Sequence, residues 1–125
     1  VVIRHLQAEH AKPYKSSYSD CLMVGLTLAC QLGGNNVVSK YRGKYKTLKQ
    51  SAVVMRRMGF TSLKELLAAD FDPIAPAQCR FGDLAVVLNN GLEHVGVCVG
   101  ENFSVKTQEG AVMYPLSAVT AGYRI

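Results

Sequence analysis

Asp20-Cys21-Leu22-Met23-Val24-Gly25-Leu26-Thr27-Leu28-Ala29-Cys30-Gln31-Leu32 is the stretch on which the fold turns. Ser19-Asp20 has the chemistry of a helix cap, because short polar side chains accept from the unpaired N–H groups of a first turn. The apolar residues behind it cover nearly the whole circumference, which predicts a central, buried helix rather than a surface one. Gly33-Gly34-Asn35-Asn36 should stop it. The run is about half the roughly 18 residues that a membrane span needs, so no membrane span is expected.

Upstream, Ile3 to His10 has weak helical character and should end at Lys12-Pro13, since a residue before proline is pushed out of the helical region. A polar loop, Tyr14 to Ser19, joins it to the central helix. Downstream comes a basic loop, Val37 to Lys46. Further helices are predicted from Leu48 to Met58, stopped by Gly59, and from a Thr61 or Ser62 cap to Ala69. Ser62 and Glu65 have capping-box spacing. Asp70 to Arg80, with Pro73 and Pro76, reads as a connecting loop. From Phe81 the apolar period changes to two. Strands are predicted over Asp83 to Leu88, Glu93 to Val99, Phe103 to Gln108, Ala111 to Tyr114 and Gly122 to Ile125, with Asn89-Asn90-Gly91 as a hairpin turn. Helices first and an antiparallel meander second give an α+β domain spanning residues 1–125.

The bulk composition fits one compact domain. The chain has 125 residues, 49% hydrophobic and 18% charged, with a formal net charge of +5. That is too apolar for a disordered chain. The charge is uneven: no Asp or Glu falls between Cys21 and Lys64, while Lys40, Arg42, Lys44, Lys46, Lys49, Arg56, Arg57 and Lys64 do. Such a surface attracts anions such as nucleic acid, anionic cell wall or an acidic protein, or it is a solvated basic face. No nucleic-acid-binding motif accompanies it, so nucleic acid is the least supported partner. Cys21, Cys30, Cys79 and Cys98 are irregularly spaced and include no CxxC pair, so free thiols are expected and no metal or other cofactor. Reduced thiols place assembly in a reducing cytoplasm. No secretory signal is recognisable, and a start at Val1-Val2 rather than Met leaves room for a leader or a processed end.

Cys21 would sit in the first turn of the central helix. Unpaired N–H groups and the helix field favour a thiolate there, so Cys21 is the candidate nucleophile with a depressed pKa. His94 opens His94-Val95-Gly96-Val97-Cys98-Val99-Gly100. On a strand, His94, Gly96, Cys98 and Gly100 share one face. Its glycines would let the helix lie close, bringing Cys21 to His94.

Asp20-Cys21 before an apolar helix, then Phe81-Gly82-Asp83-Leu84-Ala85-Val86 and His94-Val95-Gly96-Val97, resembles the NlpC superfamily of cell-wall cysteine peptidases. Tyr14 matches the tyrosine that precedes Asp-Cys there. The resemblance runs from about Pro13 to Gln108. A narrower similarity is to uncharacterised proteins of phage and prophage tail clusters. It is carried by Pro13-Tyr14, Asp20-Cys21, Arg42-Gly43-Lys44-Tyr45, Arg56-Arg57-Met58-Gly59-Phe60, Gly82-Asp83 and Gly96-Val97. The resemblance implies a papain-like fold, with N-terminal helices packed on a C-terminal antiparallel sheet or partly open barrel. It implies that Cys21 and His94 cleave peptidoglycan stem peptides, with Tyr14 and Asp20 at the substrate or oxyanion. It also implies a virion tail-tip location, with other tail proteins as partners. The family's third polar residue falls on Lys106, which while charged cannot accept from an imidazole N–H. Gln108 is the chemical alternative, expected across from His94 if the Glu101 region turns tightly. Leu22-Met23 stands where the superfamily has Ser-Gly, which implies a different groove. A structural tail subunit with the same fold and little activity is the rival reading.

Overall fold

The computed structural model describes residues 1–33 and 36–125, with the side chains of Leu48, Lys49, Ser51 and Ala52 left aside. Four helices come first: α1 (Val2–Ala11), α2 (Cys21–Gly33), α3 (Leu48–Arg57) and α4 (Leu63–Ala68). Six strands follow: β1 (Asp72–Ile74), β2 (Leu84–Asn89), β3 (Leu92–Cys98), β4 (Asn102–Thr107), β5 (Gly110–Pro115) and β6 (Val119–Arg124). They form one open antiparallel sheet in the order β1-β6-β2-β3-β4-β5. The α+β class read from the sequence is the one observed.

Local chemistry sets most boundaries. Lys12, the residue before Pro13, is extended, so α1 ends at Ala11. Ser62 caps α4 by accepting from the Glu65 N–H. The Glu65 carboxylate reaches back to the Thr61 N–H, one residue earlier than a capping box requires. Asn90 and Gly91 both have positive φ, 52° and 76°, as a two-residue type I′ hairpin turn demands. The expected stop at Gly33 to Asn36 includes Gly34 and Asn35, which lie outside the described residues.

Two features of the sheet's strands depart from the sequence expectation. Asp72-Pro73-Ile74 is a strand, not loop, paired with β6. It occupies a sheet edge, where proline is tolerated because no ladder N–H is needed. And the strands are not a simple meander: β2 to β5 follow one another, but β6 returns beside β2.

The larger core cluster lies between α2 and one sheet face. Leu26 and Leu28 are fully buried against Leu84, Val86, Val95 and Val97. The other face carries a smaller cluster of Ala85, Val87, Cys98, Phe103 and Val105. The helix therefore lies on the Val95/Val97 face, not on the His94/Gly96 face that the strand glycines suggested. The glycine that permits close approach is Gly25 of the helix itself. A Cβ there would stand 2.8 Å from Val95 Cγ1 and 3.3 Å from Leu84 Cδ2. Gly96 is instead crowded by the Val87, Val105 and Phe103 side chains.

Gly25→Ala should thus destabilise the fold. Overpacking against the stiff, buried Val95 costs ~1–3 kcal/mol, more than the ~1 kcal/mol that alanine gains in a helix. A urea midpoint no lower than wild type would contradict this close approach.

Candidate active site

β3 and β4 are hydrogen-bonded only near their shared turn, at Val97↔Ser104 and Cys98↔Phe103. Beyond Val97 this pairing stops, and Cys21, the first residue of α2, packs against both core clusters, one on each face of the sheet. A cavity of about 600 Å³ opens there. Cys21, His94, Tyr14, Asp20, Lys106 and Gln108, separated by up to 94 positions in sequence, all line it.

The Cys21 thiol is pushed up to about 12, by burial first and by the Asp20 charge second. Hydrogen bonding from the Val95, Leu22 and Cys21 backbone acts the other way. The expected low pKa is therefore not observed. A helix-terminus field worth about 1 kcal/mol does not offset the several kcal/mol that enclosing a charged group costs. His94 is half-buried and lies below its usual value for the same reason, burial. No hydrogen bond joins it to Cys21 or to an orienting side chain among the described residues. At neutral pH the resting pair is a thiol and a neutral imidazole, the protonation state a general base requires.

Gln108 is not across from His94. It is exposed in the two-residue turn between β4 and β5, at the cavity rim. The β3–β4 register, continued, would bring Thr107 opposite His94. Lys106 is nearly fully buried. Its ammonium donates to the carbonyls of Glu9 and Lys12 (3.0 Å for the latter) and to Ser19 Oγ. All three of its donors are thus committed to the C-terminal end of α1 and to the residue two places before Cys21. A cation at that end also complements the helix dipole. This geometry makes Lys106 a positioning residue rather than a partner of His94.

Asp20 is equally committed. Its carboxylate caps α2 through the Met23 N–H (2.9 Å), accepts from the Ser17 N–H (2.8 Å) and accepts from the Tyr45 hydroxyl. A carboxylate repels an oxyanion, so Asp20 holds the segment and does not bind the charge that develops. Tyr14 is half-buried, and its hydroxyl is raised to about 12 by burial, Asp20 and Cys21 in that order, with a Ser16 hydrogen bond opposing. It remains a neutral donor beside the thiol.

The sequence reading missed Tyr45. It belongs to Arg42-Gly43-Lys44-Tyr45, whose Gly43 N–H also donates to the Ser17 carbonyl at 3.1 Å. The spacing motif was visible; its tether to Asp20 was not. The apolar wall of the cavity, from Leu22, Val54, Met55, Leu63 and Leu66, was also missed. The basic residues Arg42, Lys44, Lys46, Arg56 and Arg57 are exposed, and Lys40 pairs with Asp70 at 3.0 Å. Cys21, Cys79 and Cys98 carry no disulfide among the described residues. Among the described residues no cluster of His, Cys, Asp and Glu can hold a metal, and no helix is long and apolar enough to cross a membrane.

A family model described as a domain of unknown function, DUF6950, matches residues 2–125. No curated protein matches the chain.

Lys106→Met should lower stability by ~2–3 kcal/mol, because it leaves buried acceptors unpaired. An unchanged denaturation midpoint would show that those contacts do not form in solution. His10 and His94 are both held below the ordinary histidine value of 6.5, burial being the largest cause for each. The unfolded chain takes up their protons first. Their contribution is present above pH ~6.5 and is lost as pH falls through the lower folded values. The urea midpoint should therefore drop between pH 7 and 5, and His94→Gln should flatten the slope. A pH-independent midpoint would rule this out.

Proposed function

We propose that this chain, which belongs to the DUF6950 family, is a cysteine peptidase or amidase with a papain-like, NlpC-type fold. The observation that carries the reading is that Cys21 and His94 line the same cavity, next to where the pairing of β3 and β4 stops. The resemblance in sequence supplies the substrate class, peptidoglycan stem peptides, and the setting, a phage tail tip assembled in the host cytoplasm among other tail proteins. The exposed cations from Arg42 to Arg57 suit an anionic wall or an acidic neighbour.

Catalysis would begin with His94 withdrawing the Cys21 proton as the sulfur attacks a carbonyl carbon. Because the thiol lies far above the imidazole, proton transfer accompanies attack; no ion pair is stored beforehand. Backbone N–H groups at the α2 start, together with the Tyr14 hydroxyl, are the donors available to the tetrahedral oxyanion. The imidazolium then protonates the departing amine, and a thioester remains on Cys21. Water, deprotonated by His94, releases the acyl group and restores the thiol.

One observation favours the rival, a structural tail-tip subunit with little activity: nothing among the described residues orients His94. Digests of purified peptidoglycan decide between them. Wild type should release peptides identifiable by mass, and Cys21→Ala and His94→Ala should each lower the rate ~10³-fold or more. Equal activity of the three proteins, or an inert wild type across several wall types, would leave only the structural role.

A further inference from the structure

The cavity beside Cys21 is lined by apolar side chains and by carboxylates, and this chemistry speaks to the substrate. On the α3–α4 side it is lined by Val54, Met55, Leu63 and Leu66, together with Leu22 and Tyr41. Leu22, Leu66 and Tyr41 are buried parts of the core, so the wall is anchored. Val54, Met55 and Leu63 are only half-buried, and they also line the cleft. The N–H of Leu63 donates to Glu93 Oε1 at 3.0 Å, which ties this wall to β3 one residue before His94.

The charges lining the cavity are lopsided. The carboxylates are Asp20, Glu93 and Glu109. Among the described residues Lys106 is the one ammonium, and its three hydrogen bonds go to Glu9, Lys12 and Ser19. The cations that give the protein its basic surface, Arg42, Lys44, Lys46, Arg56 and Arg57, are exposed and are not part of this lining. An entering carboxylate would face like charges with no free cationic partner among the described residues, whereas an apolar side chain would cover exposed Val, Met and Leu surface.

We infer that the α3–α4 wall is a specificity subsite for an uncharged, apolar group flanking the scissile bond. The preferred substrate is then a neutral peptide or acyl amide, with acidic residues excluded from this position. The inference rests on the Cys–His hydrolase reading for its meaning, but its binding half is independent of catalysis.

The test uses the full chain carrying Cys21→Ala and short blocked peptides that differ at one position, Leu against Glu. Binding is followed through the ¹³C-methyl resonance of Met55. The Leu peptide should move that resonance and bind at least tenfold more tightly than the Glu peptide, and Met55→Glu should abolish the preference. Should Met55→Glu fail to fold, the peptide ranking on Cys21→Ala alone still decides. Equal or tighter binding of the Glu peptide, or an unmoved Met55 methyl, overturns the subsite. Hydrolysis by the unsubstituted protein separates the two readings. Selective binding without cleavage upholds the subsite and removes the hydrolase; cleavage with no preference removes the subsite and upholds the hydrolase.

Discussion

The Asp20 carboxylate is the point on which the arrangement around the cavity depends. It accepts from Met23 N–H, Ser17 N–H and the Tyr45 hydroxyl. The first of these starts α2. The second fixes the turn before it, where Ser17 is fully buried and holds a left-handed φ of 63°. The third pulls in the loop after it. Removing the carboxylate would leave buried donors without acceptors at all three, a larger loss than one helix cap is worth. Lys106 reinforces the same segment from the sheet by joining Ser19 to the end of α1. Two buried charges thus bracket the approach to Cys21, each satisfied by hydrogen bonds rather than by a direct ion pair.

The clamp has an electrostatic consequence. The same Asp20 that positions Cys21 also raises its pKa, in concert with burial. Stability of the helix start and acidity of the thiol therefore pull in opposite directions. A chain with this geometry relies on proton transfer to His94 during attack, because the resting protein does not hold a thiolate. Its basic surface does little for Cys21, since the exposed cations lie outside the cavity that the carboxylates line.

Much of this was legible in the residues. The buried helix from Cys21, the Asn90-Gly91 hairpin, the Ser62 cap and the switch to period two near Phe81 each follow from local chemistry, and each is observed. Cys21 could be singled out because a helix start is a position that sequence marks, and His94 because an imidazole followed by alternating Val and Gly stands out on a strand. What failed was long-range. Gln108 does not face His94, because the β3–β4 register runs one residue off and would bring Thr107 there, and the pairing stops at Val97↔Ser104 in any case. The strand glycines suggest a helix contact that they do not make, while the close approach belongs to Gly25. Asp72-Pro73-Ile74 was hidden by its length and its proline.

The sequence by itself determined most element types, the class of fold and the residues able to do chemistry, because those rest on period, capping and side-chain identity within a few positions. Only the tertiary structure decided which face of the sheet α2 covers, where Lys106 spends its charge, and whether the Cys21 thiol is acidic. Those depend on burial and on partners that the chain brings together from far apart. A helix-start cysteine carries the same local signal whether it opens to water or is enclosed beside a carboxylate. Enclosure is set by packing, and packing here is what turned an expected thiolate into a thiol.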